Sequence, residues 1–182
     1  MIGTKGAGIP YRLLSLACYC TGMSPRGSIA KGSFGKKTRH TGVLAYSVVR
    51  ALWDENGDAK YDPNYTVVSH VAAGEENSGG LDNVLLAREN DMFFAASGSV
   101  AKILPICKTQ RIGNEIVPLD ADARRRISEV AAGLMQRGVT VCAVGFRRSH
   151  YNNLRRMSVL QSDLCFEGFF AVSQRLGEGA LE

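Results

Sequence analysis

The sequence predicts one folded domain of the α/β or α+β class, in which helices pack on a β-sheet. Segments with strand-like and helix-like patterns interleave along the chain, and this arrangement is typical of a sheet covered by helices. The chain has 182 residues, of which 45% are hydrophobic, so it is long enough to bury a substantial core.

The N-terminal part of the chain differs from the rest in composition. Residues 22–42 are rich in Gly, Ser and Lys and show no periodicity, which is typical of a linker or a disordered arm. We therefore interpret residues 1–40 as a basic, poorly ordered segment and residues 41–182 as the folded domain. Residues 43–53 are β-rich and lead to an Asn-Gly turn.

Two segments follow whose patterns are short. Residues 65–73 are compatible with either a helix or a strand. Residues 81–88 come after a Ser-Gly-Gly break and are predicted to form a short helix. This prediction depends on side chains at helical spacing: Leu81, Val84, Leu85 and Arg88.

The stretch SGSVAKILPIC, residues 97–107, reads as strand, tight turn and helix. An apolar run precedes the Ser-Gly-Ser turn, and apolar residues at helical spacing follow it. Backbone N–H groups at a helix start attract anions, and glycine allows a ligand to approach the backbone closely. Phosphate-binding turns usually carry a lysine or arginine as well, and this turn has none.

The clearest helix comes next. A hairpin turning at Gly113 and Asn114 leads to Asp120, which is predicted to cap a helix that stops at Gly138. Its inner face is predicted to contain Ile127, Val130, Ala131 and Leu134. Residues 139–146 are predicted as a strand buried on both faces, and residues 165–172 as another strand after a basic loop.

The positive charge is concentrated in the N-terminal third. Residues 1–53 contain eight Lys or Arg and no acidic residue, whereas the remainder has fourteen basic and seventeen acidic residues, which accounts for the formal charge of +5. Such a segment could contact phosphate backbones or anionic lipid, but a solvated flexible segment is the favoured interpretation.

Five cysteines without paired spacing argue against a disulfide framework or a zinc site and favour a reducing compartment. The apolar run at residues 13–20 is too short to span a bilayer.

Individual chemical signals are weak. His40, His70 and His150 are separated from one another, and we interpret each as a surface or packing residue. The run of Arg at 124–126 points in different directions around a helix and is interpreted as a solvated face. The arginines of residues 147–156, with Tyr151 among them, could meet a phosphate or an RNA base, but without a known RNA-binding motif a structural role is favoured. We assign no catalytic residue and no metal ligand.

The ordered series of motifs is more informative, and it resembles the nucleotide-binding domain of magnesium-translocating P-type ATPases. In that family a Lys-Gly-Ala turn opens a helix ending in cysteine, followed by a hairpin, a Val-Pro-Leu-Asp helix cap, a Gly-Leu-Arg-Val-Leu-Ala-Val-Ala strand and a Ser-Asp-Leu-x-Leu-Glu-Gly-Phe strand. Similar stretches stand here in the same order, at residues 97–107, 117–120, 138–145 and 162–169. Fainter similarity extends upstream, to residues 78–83 and 41–44.

The resemblance implies a twisted, largely antiparallel sheet flanked by helices, and a nucleotide site formed by Ser97, Gly98, Ser99 and Thr140. It also implies ATP as the ligand, Mg²⁺ arriving only with the nucleotide, and the location of a cytoplasmic domain that belongs to a plasma-membrane pump.

Departures from the family pattern predict a loss of activity. Arg39 stands in place of the phosphorylated aspartate, and an arginine cannot form an aspartyl phosphate. Ser97 and Thr140 replace a nucleotide-contacting lysine and a strand arginine. Losing each charge-assisted contact costs about 1.5 to 3 kcal/mol, or roughly ten- to a hundredfold in affinity. We therefore expect weak or lost ATP binding and neither hydrolysis nor transport.

Two alternatives remain open at this point. The first is a non-enzymatic interaction module whose basic arm docks on a membrane surface, a nucleic acid or an intact pump. The second is an unrelated globular domain that matches the family by chance.

Overall fold

A single mixed sheet organises the described part of the chain. The structure is a computed structural model, and it describes residues 11–20 and 65–172. Within these ranges seven strands lie in the order β1-β2-β3-β6-β7-β4-β5, and neighbouring strands are antiparallel except for the parallel pair β4 and β7. The predicted α+β class and the largely antiparallel sheet are therefore confirmed.

The strands and helices are numbered in chain order. The strands are β1 (Thr66–Val71), β2 (Asp82–Arg88), β3 (Asp91–Gly98), β4 (Cys107–Ile112), β5 (Glu115–Pro118), β6 (Thr140–Ser149) and β7 (Leu164–Val172). The helices are α1 (Tyr11–Cys20), α2 (Val100–Ile103), α3 (Ala121–Gln136) and α4 (Met157–Leu160). Short 3-10 helices cover Leu104–Ile106 and Leu154–Arg156. None of the helices in the described ranges is long and apolar enough to cross a membrane.

Two hydrophobic cores lie on opposite faces of the sheet. On one face α1 packs on alternate residues of the central strands, among them Val84, Ala95 and Val144. On the other face α2, α3 and α4 cover the residues between these positions, such as Leu85 and Ala143. Because side chains alternate along a strand, the central strands contribute to both cores. The prediction that β6 is buried on both faces is confirmed.

The prediction of a helix at residues 81–88 is wrong, because this segment forms the strand β2. Its residues pair with β1 on one side and with β3 on the other, and the four residues from Asn83 to Leu86 are all buried. A short apolar run that is buried on both faces has the same composition in a strand and in a helix, so periodicity alone cannot distinguish them. The open choice at residues 65–73 is resolved as a strand, β1.

The hairpin and the capped helix are confirmed. Gly113 lies between β4 and β5 with a φ of 60°, and the Oδ1 atom of Asp120 accepts a hydrogen bond of 2.7 Å from the Ala123 backbone N–H. Gly138 follows α3 with a φ of 75°, a conformation that favours glycine. The predicted inner face of α3 needs one correction, because Val130 is 51% exposed. It therefore lies outside the buried face of the helix, to which Ala131 and Leu134 belong.

Helix α1 belongs to the segment that precedes the predicted domain boundary at residue 41. Leu16 and Tyr19 of this helix are fully buried against the sheet. The Tyr19 hydroxyl donates to the Tyr65 carbonyl at 3.1 Å, which ties α1 to the start of β1. The boundary itself stays a prediction, as do the β-rich segment at 43–53 and the stretch at 22–42, which lie outside the described residues.

Candidate functional site

The strand and the helix predicted around residues 97–99 are present, but the turn between them is shorter than predicted, because Ser97 and Gly98 still belong to β3. Strand β3 ends at Gly98, Ser99 is in an extended conformation, and α2 begins at Val100. The Ser99 carbonyl accepts hydrogen bonds of 3.0 Å from the backbone N–H groups of Lys102 and Ile103. The Ser99 side chain makes no capping hydrogen bond and is exposed. Its hydroxyl is therefore accessible to a ligand.

Gly98 is required by close packing behind the turn. A Cβ atom at this position would lie 2.5 Å from the Cδ2 atom of Leu81, closer than real atoms approach. Gly98 pairs with Ala143 of β6. Glycine at this position is therefore needed for close packing between β3 and the start of β2, whether or not a ligand binds.

Ser97 is inside the protein. Its side chain is 1% exposed, and its strand partners are Asp82 of β2 and Val144 of β6. Since paired residues share a face of the sheet, the Ser97 hydroxyl lies on the face that α1 covers. Of the turn residues, Ser99 offers its side chain to solvent and Ser97 does not.

Thr140 lies at the same end of the sheet as the turn at residues 97–99, but at a distance from it. It begins β6 and is exposed, and it shares the α1 face with Ser97 because Val144 is four residues further along the strand. Four residues correspond to roughly 13 Å along a strand. An extended nucleotide could reach both the turn and Thr140, whereas one phosphate group could not.

A lysine beside the turn was missed by the sequence reasoning. The Nζ atom of Lys102 lies 3.3 Å from the Gly80 carbonyl oxygen, to which it donates a hydrogen bond. Lys102 belongs to the stretch SGSVAKILPIC, three residues after Ser99. Helical periodicity therefore places it one turn beyond the start of α2. The cation that the turn itself lacks is therefore present within the same loop cluster.

Amide hydrogen bonds hold the loop that Lys102 contacts. Asn83 is fully buried, and its Nδ2 atom donates to the carbonyls of Ser78 and Leu81. The Nε2 atom of Gln161 donates to the Ser78 carbonyl and to the Oδ1 atom of Asn83. This network fixes residues 78–83, the segment with a fainter family likeness, against α4 and next to the turn.

Ionisable groups beneath the turn are largely desolvated. Burial raises the pKa of the Asp82 carboxyl above 3.8, while the hydrogen bond from the Ala73 backbone and the nearby His70 act in the opposite direction. Burial, and then the charge of Asp82, raise the pKa of the Cys142 thiol from 9.0 to about 12. Cys142 therefore stays protonated at neutral pH, which makes it a poor nucleophile.

The described histidines have the structural and surface positions that the sequence favours. The Nε2 atom of His70 lies 2.5 Å from the Cys20 carbonyl oxygen at the end of α1, and His150 is exposed. His40 lies outside the described residues. In residues 11–20 and 65–172 there is no group of three or more His, Cys, Asp or Glu side chains that could hold a metal ion.

The arginine run of α3 is only partly the solvated face that we predict. Arg125 and Arg126 are exposed, but Arg124 donates to the carbonyls of Leu104 and Cys107, at 2.6 Å each. The two carbonyls belong to the first residue of the 3-10 helix that follows α2 and to the first residue of β4. Arg124 consequently joins α3 to the segment that leaves the turn.

Comparison with other proteins adds no functional assignment. No protein-family model matches the chain, and no curated protein shows significant similarity to it.

Proposed function

We propose that this chain is a degenerate or truncated relative of the nucleotide-binding domain of magnesium-translocating P-type ATPases, with weak or lost ATP binding. In this proposal the chain performs neither phosphorylation nor transport, Mg²⁺ enters only together with a nucleotide, and the domain is cytoplasmic. The missing phosphorylation aspartate, replaced by Arg39, is the reason that no phosphoryl transfer is expected.

The observation that carries the proposal is the order of elements around the turn. The strand-turn-helix at 97–103, the hairpin of β4 and β5, the helix capped by Asp120 and the strands β6 and β7 follow one another as in the series that the resemblance names. A chance match of four short motifs would not require each of them to fall on the corresponding type of element.

The residues present fit a nucleotide only in part. The Ser99 hydroxyl at the start of α2 is exposed, and Lys102 is nearby as a cation. The Ser97 side chain is buried, and Thr140 is neutral. Two contacts that the family makes with charged side chains are therefore absent, which agrees with a site of low affinity.

The test restores one of the lost charges at an exposed position. In Thr140→Arg a guanidinium replaces a neutral side chain, and we expect ATP to bind about ten to a hundred times more tightly than to the unchanged chain. Ser97→Lys is the less suitable variant, because the new ammonium group would have to enter a buried position.

Binding is followed by backbone chemical shifts of the full-length chain during titration with ATP and with ADP. Shifts should be centred on Gly98, Ser99 and Val100, and Thr140→Gln, which adds length without charge, should bind no better than the unchanged chain. Equal affinities for the Arg and Gln variants, or shifts confined to another part of the molecule, would overturn the nucleotide proposal.

A further inference from the structure

The described arginines fall into two groups according to their partners. Most donate hydrogen bonds to a carboxylate or to a backbone carbonyl: Arg111, Arg124, Arg125, Arg137, Arg147 and Arg148. Within residues 65–172, no acceptor lies at hydrogen-bond distance from the guanidinium groups of the others: Arg88, Arg126, Arg155 and Arg156. Two of this second group lie over aromatic rings instead.

Arg88 is an exposed cation that lies over two rings. Its Cζ atom is 5.1 Å from the ring centre of Tyr65 and 5.4 Å from that of Phe93. Asp91 is its partner in the pairing of β2 with β3, but this carboxylate contacts Arg148. Arg88 thus keeps its N–H groups available while the rings hold the guanidinium in place.

Arg156 repeats this arrangement on the other side of the sheet. Its Cζ atom is 5.2 Å from the ring centre of Tyr151, and its side chain is exposed. Tyr151 is hydrogen-bonded to Ser149, the last residue of β6, which pairs with Met92 at the start of β3. Arg156 and Arg88 therefore lie at the same end of the sheet.

This end, which we call the arginine end, is opposite to the turn at 97–99. It comprises Arg88, Arg148, Arg155 and Arg156. Two acidic residues lie beside it: Glu89, in the turn between β2 and β3, and Asp91, the first residue of β3, which binds Arg148. The four arginines outnumber these two carboxylates. Arginine binds phosphate with two parallel N–H groups and offers a planar surface for stacking.

We propose that the arginine end binds single-stranded nucleic acid. Arg88 lies on the face that α1 covers, and Tyr151 packs with the opposite core, so the two stacked guanidinium groups are on different sides of the sheet end. One phosphate ion cannot reach both, whereas a strand that crosses this end presents phosphates to each. Bases stack on guanidinium planes as they do on aromatic rings, and this favours a nucleic acid over a lipid headgroup.

The test compares paired variants of the full-length chain. Fluorescence anisotropy measures binding of a labelled uridine oligonucleotide of about 12 nucleotides, a length within the usual site sizes. Arg88→Gln combined with Arg156→Gln should weaken binding about a hundredfold, roughly tenfold for each of the two lost charged contacts. Loss of two phosphate contacts should also make the slope of log affinity against log salt shallower by about 1.4, measured between about 50 and 200 mM salt.

Matched variants distinguish binding at the arginine end from a general effect of net charge. Arg125→Gln combined with Arg126→Gln removes the same charge from α3 and should leave affinity and slope nearly unchanged. Arg88→Lys combined with Arg156→Lys keeps the charge but not the planar surface, and should lose affinity several-fold at an unchanged slope. Far-UV circular dichroism checks that each variant is folded.

Three outcomes would overturn the proposal. If Arg88→Gln with Arg156→Gln binds the oligonucleotide as tightly as the unchanged chain, the N-terminal basic residues account for the binding. If the α3 variant loses as much affinity, net charge alone is responsible. If the arginine-end variant loses binding to phosphatidylserine vesicles but not to the oligonucleotide, the surface recognises lipid.

Discussion

Ser97 and Thr140 share a face of the sheet, yet only Thr140 presents its side chain to solvent. Burial is a property of the surrounding fold, and no sequence pattern distinguishes these two residues. Similar reasoning applies to Lys102, whose contact with Gly80 depends on a loop that is 22 residues earlier in the chain. The residue types of the candidate site could therefore be predicted from sequence, but their accessibility could not.

Asp82 provides a prediction about pH. Asp82→Asn should raise the free energy of unfolding at pH 7, because burial raises the pKa of this carboxyl and the folded state disfavours its charge. An asparagine oxygen can still accept the hydrogen bond from Ala73. Below pH 3.8 the carboxyl is protonated in both states, so the difference between variant and unchanged chain should be small there and grow as the pH rises.

Urea unfolding at several pH values between 3 and 7 measures this difference. Glu89→Gln, a change at an exposed carboxyl, serves as the control and should alter stability little across the series. A variant at Asp82 that is less stable than the unchanged chain at pH 7 would show that the carboxylate contributes more through its partners than its burial costs.

Among the elements, those with local signals were predictable. The cap at Asp120, the apolar stripe of α3 and the Gly113 turn depend on neighbours within a few residues. The structure has all three, except that Val130 lies outside the stripe. Strand β2 is instead stabilised by pairing with β1 and β3 and by burial of its central residues, and its short pattern predicts a helix. The similarity of short buried helices and strands in composition explains this error.

Removal of the α3 cap should lower stability without changing the fold. Asp120→Ala deletes the hydrogen bond to the Ala123 N–H and a negative charge at the helix start, which together contribute about 0.5 to 2 kcal/mol. Thermal and urea unfolding measure the change. Asp120→Asn, which keeps a capping oxygen, should recover most of the loss, and a loss equally large in both variants would mean that the charge, not the cap, is responsible.

At the scale of the whole molecule, a sheet with helices packed on it was predictable from the interleaved strand and helix patterns. The strand order was not predictable, and neither was the helix α1 that covers one face. The parallel pairing of β4 with β7 joins segments more than 50 residues apart, and the Arg111–Glu167 ion pair lies across the same two strands. Helix α1 contributes to the core, although the composition of its segment predicts a poorly ordered arm. Long-range pairing of this kind leaves no local pattern in a single sequence.

The shared sheet predicts that both cores unfold together. Strand β6 places Cys142 on the α1 face and Val141 on the other, so loss of α1 would expose strands on which α2 and α3 also depend. Leu16→Ala on α1 should therefore lower the free energy of unfolding by about 2 to 5 kcal/mol. In this variant both cores should become exposed together, at a lower urea concentration than in the unchanged chain.

Two buried thiols report the two faces separately. Cys142 belongs to the α1 core and Cys107 to the opposite core, and burial is the main cause that raises the pKa of each thiol to about 12. Neither thiol reacts readily until its surroundings open. Pulsed alkylation across a urea series, read by mass spectrometry, should give coincident transitions for the two cysteines in the unchanged chain and in Leu16→Ala. A transition for Cys142 at distinctly lower urea than for Cys107 would instead make α1 and its core a separate unit that opens while the rest of the sheet remains folded.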